Sequence, residues 1–201
     1  MRAFVIAMRC EADAVEPHLK QGDRLYVAGI GKVNAAAATQ KAICEGATEI
    51  WNAGLAGGIG AGIAVGDIVA ISSAVEYDFD LADLNGTCVG QLNERDSPYI
   101  PMATGRAVSL NGRELGSRIL GSGDRFNDSE ADIELLKGLG VTVRDMEGAA
   151  IAHVCEKEGV PCRSFKCISD VHGGDAMTRQ YQDNLKTCLA KLSAAMKELL
   201  G

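Results

Sequence analysis

The fold is decided by residues 141–170, which run VTVRDMEGAAIAHVCEKEGVPCRSFKCISD. Residues 141–146 and 163–169 are apolar runs of strand length, and residues 148–158 between them form an alanine-rich segment typical of a helix. Strands separated by helices of this length indicate parallel βαβ units in one sheet. This stretch therefore predicts an α/β fold.

The same alternation of strand and helix extends over the rest of the chain. Strands are predicted at residues 3–8, 24–30, 47–53, 67–75 and 118–123, and helices at residues 11–19, 33–45, 107–118, 128–139 and 180–200. Residues 77–101 show little periodicity and contain Gly, Asn and Pro, which predicts a long loop with room for one short strand. No linker or repeat divides the sequence, so we expect one α/β domain over residues 1–201, with a central sheet flanked by helices.

Composition and charge exclude several classes of function. The 201-residue chain is 47% hydrophobic and 23% charged, an ordinary balance for a globular domain with a sizeable core. Its net charge of −7 argues against a nucleic-acid partner or an anionic membrane surface, and no apolar run is long enough to span a bilayer. The seven cysteines lack metal-ligand spacing, so we expect no metal site, reduced thiols and a cytoplasmic protein.

Two acids stand where predicted strands end. Glu147 lies between a strand and the helix at residues 148–158, whose positive end favours an anion. Asp170 directly follows the apolar strand at residues 163–169. Because open α/β sheets bind ligands beyond the carboxyl ends of their strands, both acids are candidates for chemistry on a small molecule. Taken alone, each could instead be a helix-capping or turn residue.

A glycine-dense segment follows the strand predicted at residues 47–53. Residues 52–60, NAGLAGGIG, lie where a phosphate-binding loop would, but the sequence contains neither GxGxxG before a helix nor GxxxxGK[ST]. We therefore expect no nicotinamide, flavin or other cofactor. The glycines indicate close approach of the backbone to a ligand, with tight packing as the alternative.

Seven segments together resemble one family. They are residues 7–11 (AMRCE), 29–36 (GIGKVNAA), 52–58 (NAGLAGG), 65–69 (VGDIV), 122–126 (SGDRF), 145–155 (DMEGAAIAHVC) and 168–171 (ISDV). In this order they are similar to the nucleoside phosphorylase/nucleosidase superfamily, and within it to the 5′-methylthioadenosine/S-adenosylhomocysteine nucleosidases. The sequence departs from that family at Leu55, where a small polar residue is usual, and at Asp145, where Glu is usual.

The resemblance implies a nucleoside phosphorylase-like fold, with a mixed, twisted sheet flanked by helices, and a homodimer. It also implies hydrolysis of the bond between purine N9 and ribose. Asp170 would protonate purine N7, Glu147 would bind the ribose hydroxyls and stabilise the cationic sugar, and Glu11 would activate the attacking water. The implied substrate-binding residues are Ala56, Gly57, Phe126 (stacked on the purine), Asn127 (through its backbone), Asp145, Met146 (under the ribose), Ser169 (orienting Asp170) and Tyr181.

Three alternatives stay open from the sequence alone. A purine nucleoside phosphorylase needs cations around a bound phosphate, and the sequence offers Arg9, although Glu11 near Arg9 suits water instead. After Gly31 the sequence has Lys32 and no Arg, which also favours water. Futalosine hydrolase shares the family motifs and acts on a nucleoside that lacks the 6-amino group. A non-catalytic nucleoside-binding protein is the third alternative, and the presence of three candidate acids argues against it. We expect His153 to be a packed, hydrogen-bonded core residue rather than a base. His172 is either a residue that reaches the site or a solvated loop histidine.

Overall fold

Two long strands form the centre of the protein. The computed structural model describes residues 1–105, 108–126, 129–173 and 176–201. In it β3 (Glu49–Gly58) and β10 (Cys162–Val171) lie side by side in parallel, and both are buried over almost their whole length. Such burial is typical of strands that have helices on both faces of their sheet.

The other elements surround this pair. The remaining strands are β1 (Arg2–Ile6), β2 (Arg24–Val27), β4 (Ile68–Glu76), β5 (Ile100–Pro101), β6 (Ser109–Leu110), β7 (Arg113–Glu114), β8 (Ser117–Ser122) and β9 (Val143–Asp145). The helices are α1 (Arg9–Val15), α2 (Lys32–Cys44), α3 (Ala82–Asn85), α4 (Glu130–Gly138), α5 (Gly148–Lys157) and α6 (Met177–Leu200), with 3₁₀ turns at Glu16–His18 and Ala103–Gly105. None of the helices in the described residues is long and apolar enough to cross a lipid bilayer.

The main sheet is mixed and closes on itself. Its order is β10-β4-β8-β9-β3-β1-β2, and β10 also pairs with β3, so five strands make a ring from which β1 and β2 extend. Strands β1, β2, β3 and β10 run parallel to one another, and so do β4, β8 and β9. The two groups meet in the antiparallel pairs β10–β4 and β3–β9. The predicted mixed sheet is confirmed.

Alternation along the strands divides the core between the two faces of the sheet. In β1, Ala3 and Val5 belong to the cluster that α2 and α5 cover, while Phe4 and Ile6 belong to the cluster that α1 and α6 cover. A period of two is what a strand with both faces buried requires. Helix α4 packs on a third, smaller cluster with residues of β4 and β8. Helices therefore flank the sheet on both sides, as predicted.

The prediction of a parallel βαβ unit at residues 141–170 is wrong. The strand, helix and strand are present as β9, α5 and β10, but β9 and β10 lie on opposite edges of β3 and run in opposite directions. Strand β10 occupies one edge of β3, and β1 occupies the first part of the other edge. Strand β9 can therefore join β3 only at Gly57 and Gly58, beyond the end of β1. This closure positions the cavity described below.

The helix predicted at residues 107–118 is also wrong in its described part. Strands β6 and β7 form a hairpin there. Asn111 (φ 53°) and Gly112 (φ 71°) both have left-handed backbone conformations, which is the signature of a two-residue type I′ turn. The strand predicted to end at residue 53 is longer than predicted, because β3 continues through the first glycines of the glycine-dense segment to Gly58.

Candidate active site

The ends of β3, β9 and β10 meet at a cavity of about 450 Å³. Gly57, near the end of β3, pairs with Arg144 of β9 on one side and with Asp170 of β10 on the other. The cavity is lined by Ala7, Met8, Glu11, Ile30, Leu55, Ala56, Gly57, Tyr77, Arg125, Phe126, Arg144, Asp145, Met146, Glu147, Ser169, Asp170, Met177, Thr178, Tyr181 and Gln182. The three acids predicted to be catalytic thus line one cavity.

Glu11 reaches the cavity from the first turn of α1. Its Oε2 accepts a hydrogen bond from the backbone N–H of Met8 at 3.1 Å, and its Oε1 accepts one from the N–H of Leu55 at 2.7 Å. A Cβ at Gly54 would lie 2.8 Å from Oε1, so glycine in β3 leaves room for this carboxylate. Burial raises the pKa of Glu11, because the ionised form loses water. Glu11 is therefore a fixed carboxylate and a stronger base than an exposed glutamate.

Glu147 occupies the N-terminal end of α5. Its Oε1 accepts a hydrogen bond at 2.8 Å from the backbone N–H of Gly31, which directly precedes α2. The side chain is buried, and burial together with the nearby charge of Asp145 raises its pKa to about 7. A carboxyl group with such a pKa exchanges its proton near neutral pH. The position is typical of a functional acid rather than of a simple helix cap.

Glu147 is the N-cap residue of α5 by position, but the side chain that caps the first N–H groups belongs to Asp145. Its Oδ1 accepts hydrogen bonds from the backbone N–H groups of Glu147 at 3.2 Å and Gly148 at 3.1 Å. Its Oδ2 lies 2.7 Å from Nζ of Lys166 in β10, and both side chains are almost fully buried. Burial alone would lower the pKa of Lys166, but Asp145 and Glu147 raise it above its usual value. Lys166 is thus a buried ammonium ion beside the acids of the site.

Asp170 is aimed at the cavity by a β-bulge. In the pairing of β10 with β3, Ile168 lies opposite Ala56 and Asp170 lies opposite Gly57, so Ser169 is an extra residue. Bulges re-aim the side chains that follow them. The Ser169 hydroxyl Oγ lies 2.7 Å from Oδ2 of Asp170 and 3.3 Å from the carbonyl oxygen of Ala56, which fixes the rotation of the carboxyl group.

The predicted substrate-binding residues occupy different parts of the cavity wall. Phe126, which is half exposed, and Tyr181 meet edge-on with ring centroids 5.9 Å apart. Met146 lies on the same cavity, in the chain between β9 and α5. Asn127 lies outside the described residues. The roles of these side chains in binding stay predictions.

Two charged residues of this site were missed by reasoning from the sequence. Lys166 and Arg144 stand inside the strand segments at residues 163–169 and 141–146, where each interrupts an apolar run. That interruption is the signal that could have identified them, because charged residues are almost never fully buried without a partner. Which residue each one meets depends on the register of the closed sheet.

The cations considered for phosphate binding are engaged elsewhere. Arg9 pairs with Asp13 at 2.7 Å and with Glu16 on the surface of α1. Lys32 Nζ lies 2.6 Å from Asp78 and also pairs with a second carboxylate. Neither residue is among those that line the cavity.

Neither His153 nor His172 is among the residues that line the cavity. His153 Nδ1 lies 2.9 Å from Oε1 of Glu76, so the predicted packed, hydrogen-bonded residue is confirmed. His172 Nε2 lies 3.8 Å from Glu130 and does not line the cavity. Over residues 1–105, 108–126, 129–173 and 176–201, the structure contains no cluster of three or more His, Cys, Asp or Glu able to hold a metal ion.

Comparison of the sequence with known proteins assigns the chain to a family. The profile of the phosphorylase superfamily matches residues 20–201. The chain is 33% identical over 186 residues to the 5′-methylthioadenosine/S-adenosylhomocysteine nucleosidase of Halalkalibacterium halodurans, a match that covers 88% of this chain and 79% of the relative. The fold is therefore that of the nucleoside phosphorylases, and the chain belongs to the phosphorylase superfamily.

Solved structures agree with this assignment. The 5′-methylthioadenosine/S-adenosylhomocysteine nucleosidase of Neisseria meningitidis, in complex with methylthio-immucillin-A, matches with a TM-score of 0.83 and 25% identity over 99% of this chain and 97% of that chain. The futalosine hydrolase of Helicobacter pylori matches with a TM-score of 0.84 and 23% identity over 99% of this chain and 96% of that chain. At such identity the second match shows the shared fold alone.

Proposed function

We propose that the protein is an N-ribosyl hydrolase that cleaves the purine N-glycosidic bond of 5′-methylthioadenosine, S-adenosylhomocysteine and similar nucleosides. The observation that carries this proposal is the convergence of Glu11, Glu147 and Asp170 on one cavity. The names of relatives at about 30% identity support the same reaction. The products are the free base and the (thio)ribose.

The three acids have separate roles in this reaction. Asp170, oriented by Ser169, donates a proton to purine N7, so that the base leaves as a neutral molecule. Glu147 accepts hydrogen bonds from the ribose hydroxyls, and its negative charge stabilises the positive charge that develops on the sugar. Glu11, fixed by two backbone N–H groups, takes a proton from the attacking water. The buried ammonium of Lys166 holds part of this acidic cluster ionised.

Water is favoured over phosphate as the nucleophile. A phosphate dianion beside the sugar needs cations or a nest of backbone N–H groups. Arg9 and Lys32 are both paired with carboxylates outside the cavity wall, and of the arginines on the wall Arg125 pairs with Asp132 and Arg144 lies beside Asp170. Glu11, which lies on the cavity, would repel phosphate and suits the activation of water.

One assay tests the reaction. The purified protein is incubated with 5′-methylthioadenosine, S-adenosylhomocysteine, adenosine, inosine and futalosine, with and without phosphate, and base release is followed. We expect phosphate-independent release with free ribose as the co-product, and ribose 1-phosphate would instead identify a phosphorylase. Replacing Asp170 by Asn should slow release by about 10²-fold or more, because the acid is lost. The exposed Asp96→Asn variant should keep full activity. Full activity of Asp170→Asn would remove this residue from the mechanism.

A second candidate is futalosine hydrolysis. It is the alternative that the family motifs leave open, and the futalosine hydrolase of H. pylori has the same fold over 99% of this chain. Both reactions break a bond between purine and ribose, and they differ in the purine and in the 5′ group. Release of base from futalosine alone, among the nucleosides of the same assay, would favour the second candidate.

A homodimer is part of the proposal. The structure exposes large apolar side chains: Ile30 and Phe126, which also line the cavity, and Val33 (79% exposed) and Leu84 (78% exposed). Association of two chains would remove such side chains from water. Analytical ultracentrifugation should give twice the mass of the chain, and a monomer at all concentrations would contradict this part of the proposal.

A further inference from the structure

Arg144 is a charged side chain on the cavity wall to which the proposed reaction gives no role. It stands in β9, one residue before Asp145, and its side chain is only 10% exposed. Its Nη2 lies 3.9 Å from Oδ1 of Asp170 and donates a hydrogen bond of 2.8 Å to the sulfur of Met177 in α6. The guanidinium group is thus held beside the acid that would protonate the base.

The closed sheet explains how the two side chains meet. Gly57 is the residue of β3 that lies between Arg144 and Asp170 in register. A Cβ at Gly57 would lie 2.9 Å from Oδ1 of Asp170 and 3.0 Å from Nε of Arg144. Because Gly57 has no side chain, the groups of Arg144 and Asp170 can occupy the same surface of the cavity. Arg144 and Asp170 can face one edge of a planar ring.

The hydrogen-bonding groups of a purine indicate what Arg144 and Asp170 could recognise together. N7 and the substituent on C6 stand side by side on one edge of the ring, where guanine presents two acceptors and adenine presents an acceptor and an amino donor. A guanidinium group has five N–H donors and no acceptor. It can therefore bind a carbonyl oxygen at C6 but not an amino group. A ring whose N7 faces Asp170 presents its C6 substituent on the same edge, beside Arg144.

We propose that Arg144 is a specificity-determining residue that donates a hydrogen bond to the oxygen of 6-oxopurines, so that the site accepts nucleosides of hypoxanthine type as well as those of adenine. The inference rests on the proposed function, because it takes Asp170 to face N7. It widens the substrate class at the purine end and makes no statement about the 5′ group. A different role, in which Arg144 only holds Asp170 in place, would affect all purines equally.

The test compares two substrates that differ at C6 alone. Steady-state hydrolysis of 5′-methylthioinosine and 5′-methylthioadenosine gives kcat/KM for the wild type and for Arg144→Met. An arginine contact to a purine edge discriminates by about tenfold or more. We therefore expect the wild type to hydrolyse both substrates. In Arg144→Met, kcat/KM for 5′-methylthioinosine should fall by at least about tenfold, while kcat/KM for 5′-methylthioadenosine should change by less than about threefold. Arg24→Met, which removes an exposed arginine at the sheet edge, is the matched control.

Failure of the inference and failure of the proposed function are distinguishable. If the wild type cleaves 5′-methylthioadenosine but not 5′-methylthioinosine, or if Arg144→Met slows both equally, the inference is overturned and the proposed function stands. If neither nucleoside is cleaved, the proposed function fails. Calorimetric titration of the wild type with hypoxanthine and adenine then tests the recognition by itself, and also serves if the variants do not fold. Binding of hypoxanthine supports the inference, and binding of adenine alone overturns it.

Discussion

Replacing Glu147 by Gln should stabilise the protein at high pH while it removes activity. Glutamine has nearly the same shape, and its Oε1 can still accept the hydrogen bond from Gly31 that Glu147 accepts at 2.8 Å. The substitution removes a buried negative charge that stands next to Asp145. Because the proposed reaction uses that charge to stabilise a cationic sugar, the same change should nearly abolish base release.

The magnitude follows from the pKa of Glu147. In the folded protein it is raised from 4.5 to about 7, mainly by burial. A carboxyl with a raised pKa contributes stability that is fully present below pH 4.5 and is lost as the pH rises through about 7, because the unfolded chain releases its proton first. The loss amounts to up to about 3 kcal/mol. For a domain of this size that is on the order of 6 to 12 °C in Tm.

The assay is denaturant unfolding of the wild type and of Glu147→Gln between pH 5 and pH 9. We expect similar free energies of unfolding at pH 5 and an advantage of the variant that grows to about 3 kcal/mol by pH 8. The control is Glu134→Gln, which changes an exposed glutamate on α4 and should follow the wild type at every pH. Parallel curves for the wild type and Glu147→Gln would refute the reasoning, because they would mean that Glu147 ionises as in the unfolded chain.

Two further substitutions test the arrangement around the acids. Lys166→Met leaves Asp145 and Glu147 without their neighbouring cation, so we expect a loss of about 3–5 kcal/mol in the free energy of unfolding at pH 8 and a smaller loss at pH 5, below the Glu147 pKa of about 7. Equal stability at pH 8 would contradict this. Gly57→Ala places a methyl group 2.9 Å from Asp170 and 3.0 Å from Arg144, so base release should fall by about tenfold or more. Gly138→Ala, on a helix with open space around it, is the control and should keep wild-type activity.

The sequence was sufficient for most elements because their signals are local. Apolar runs, alanine-rich segments and capping residues depend on neighbours a few positions away. The helix predicted at residues 107–118 failed for the same kind of reason, since Asn111 and Gly112 are a hairpin signal that the prediction overlooked. Strand direction is different, because it depends on pairings between distant segments. Nothing within residues 141–170 reveals that β9 and β10 flank β3 from opposite edges.

The residues of the site also differ in whether local signals in the sequence were enough to identify them. Asp170 and Glu147 could be proposed from their place at strand ends, and Glu11 from the family resemblance, and all three line the cavity. Lys166 and Arg144 could not be assigned, since each needs the register of the closed sheet before its neighbour is known. Lys166 in β10 contacts Asp145 in β9 across the closed ring of strands. Arg144 and Asp170 lie close together on either side of Gly57.

The charges of the site explain why a buried acidic cluster suits this reaction. Lys166 lies 2.7 Å from Asp145, which also caps α5, so the charge of this aspartate is balanced within the protein. The charge of Glu147 is balanced less well, and burial together with the charge of Asp145 raises its pKa to about 7. A sugar that becomes positively charged as the base departs supplies the missing cation. Burial destabilises the ionised form of Glu147 in the resting protein. At the transition state the fixed charge of Glu147 stabilises the cationic sugar, so part of that free energy is recovered.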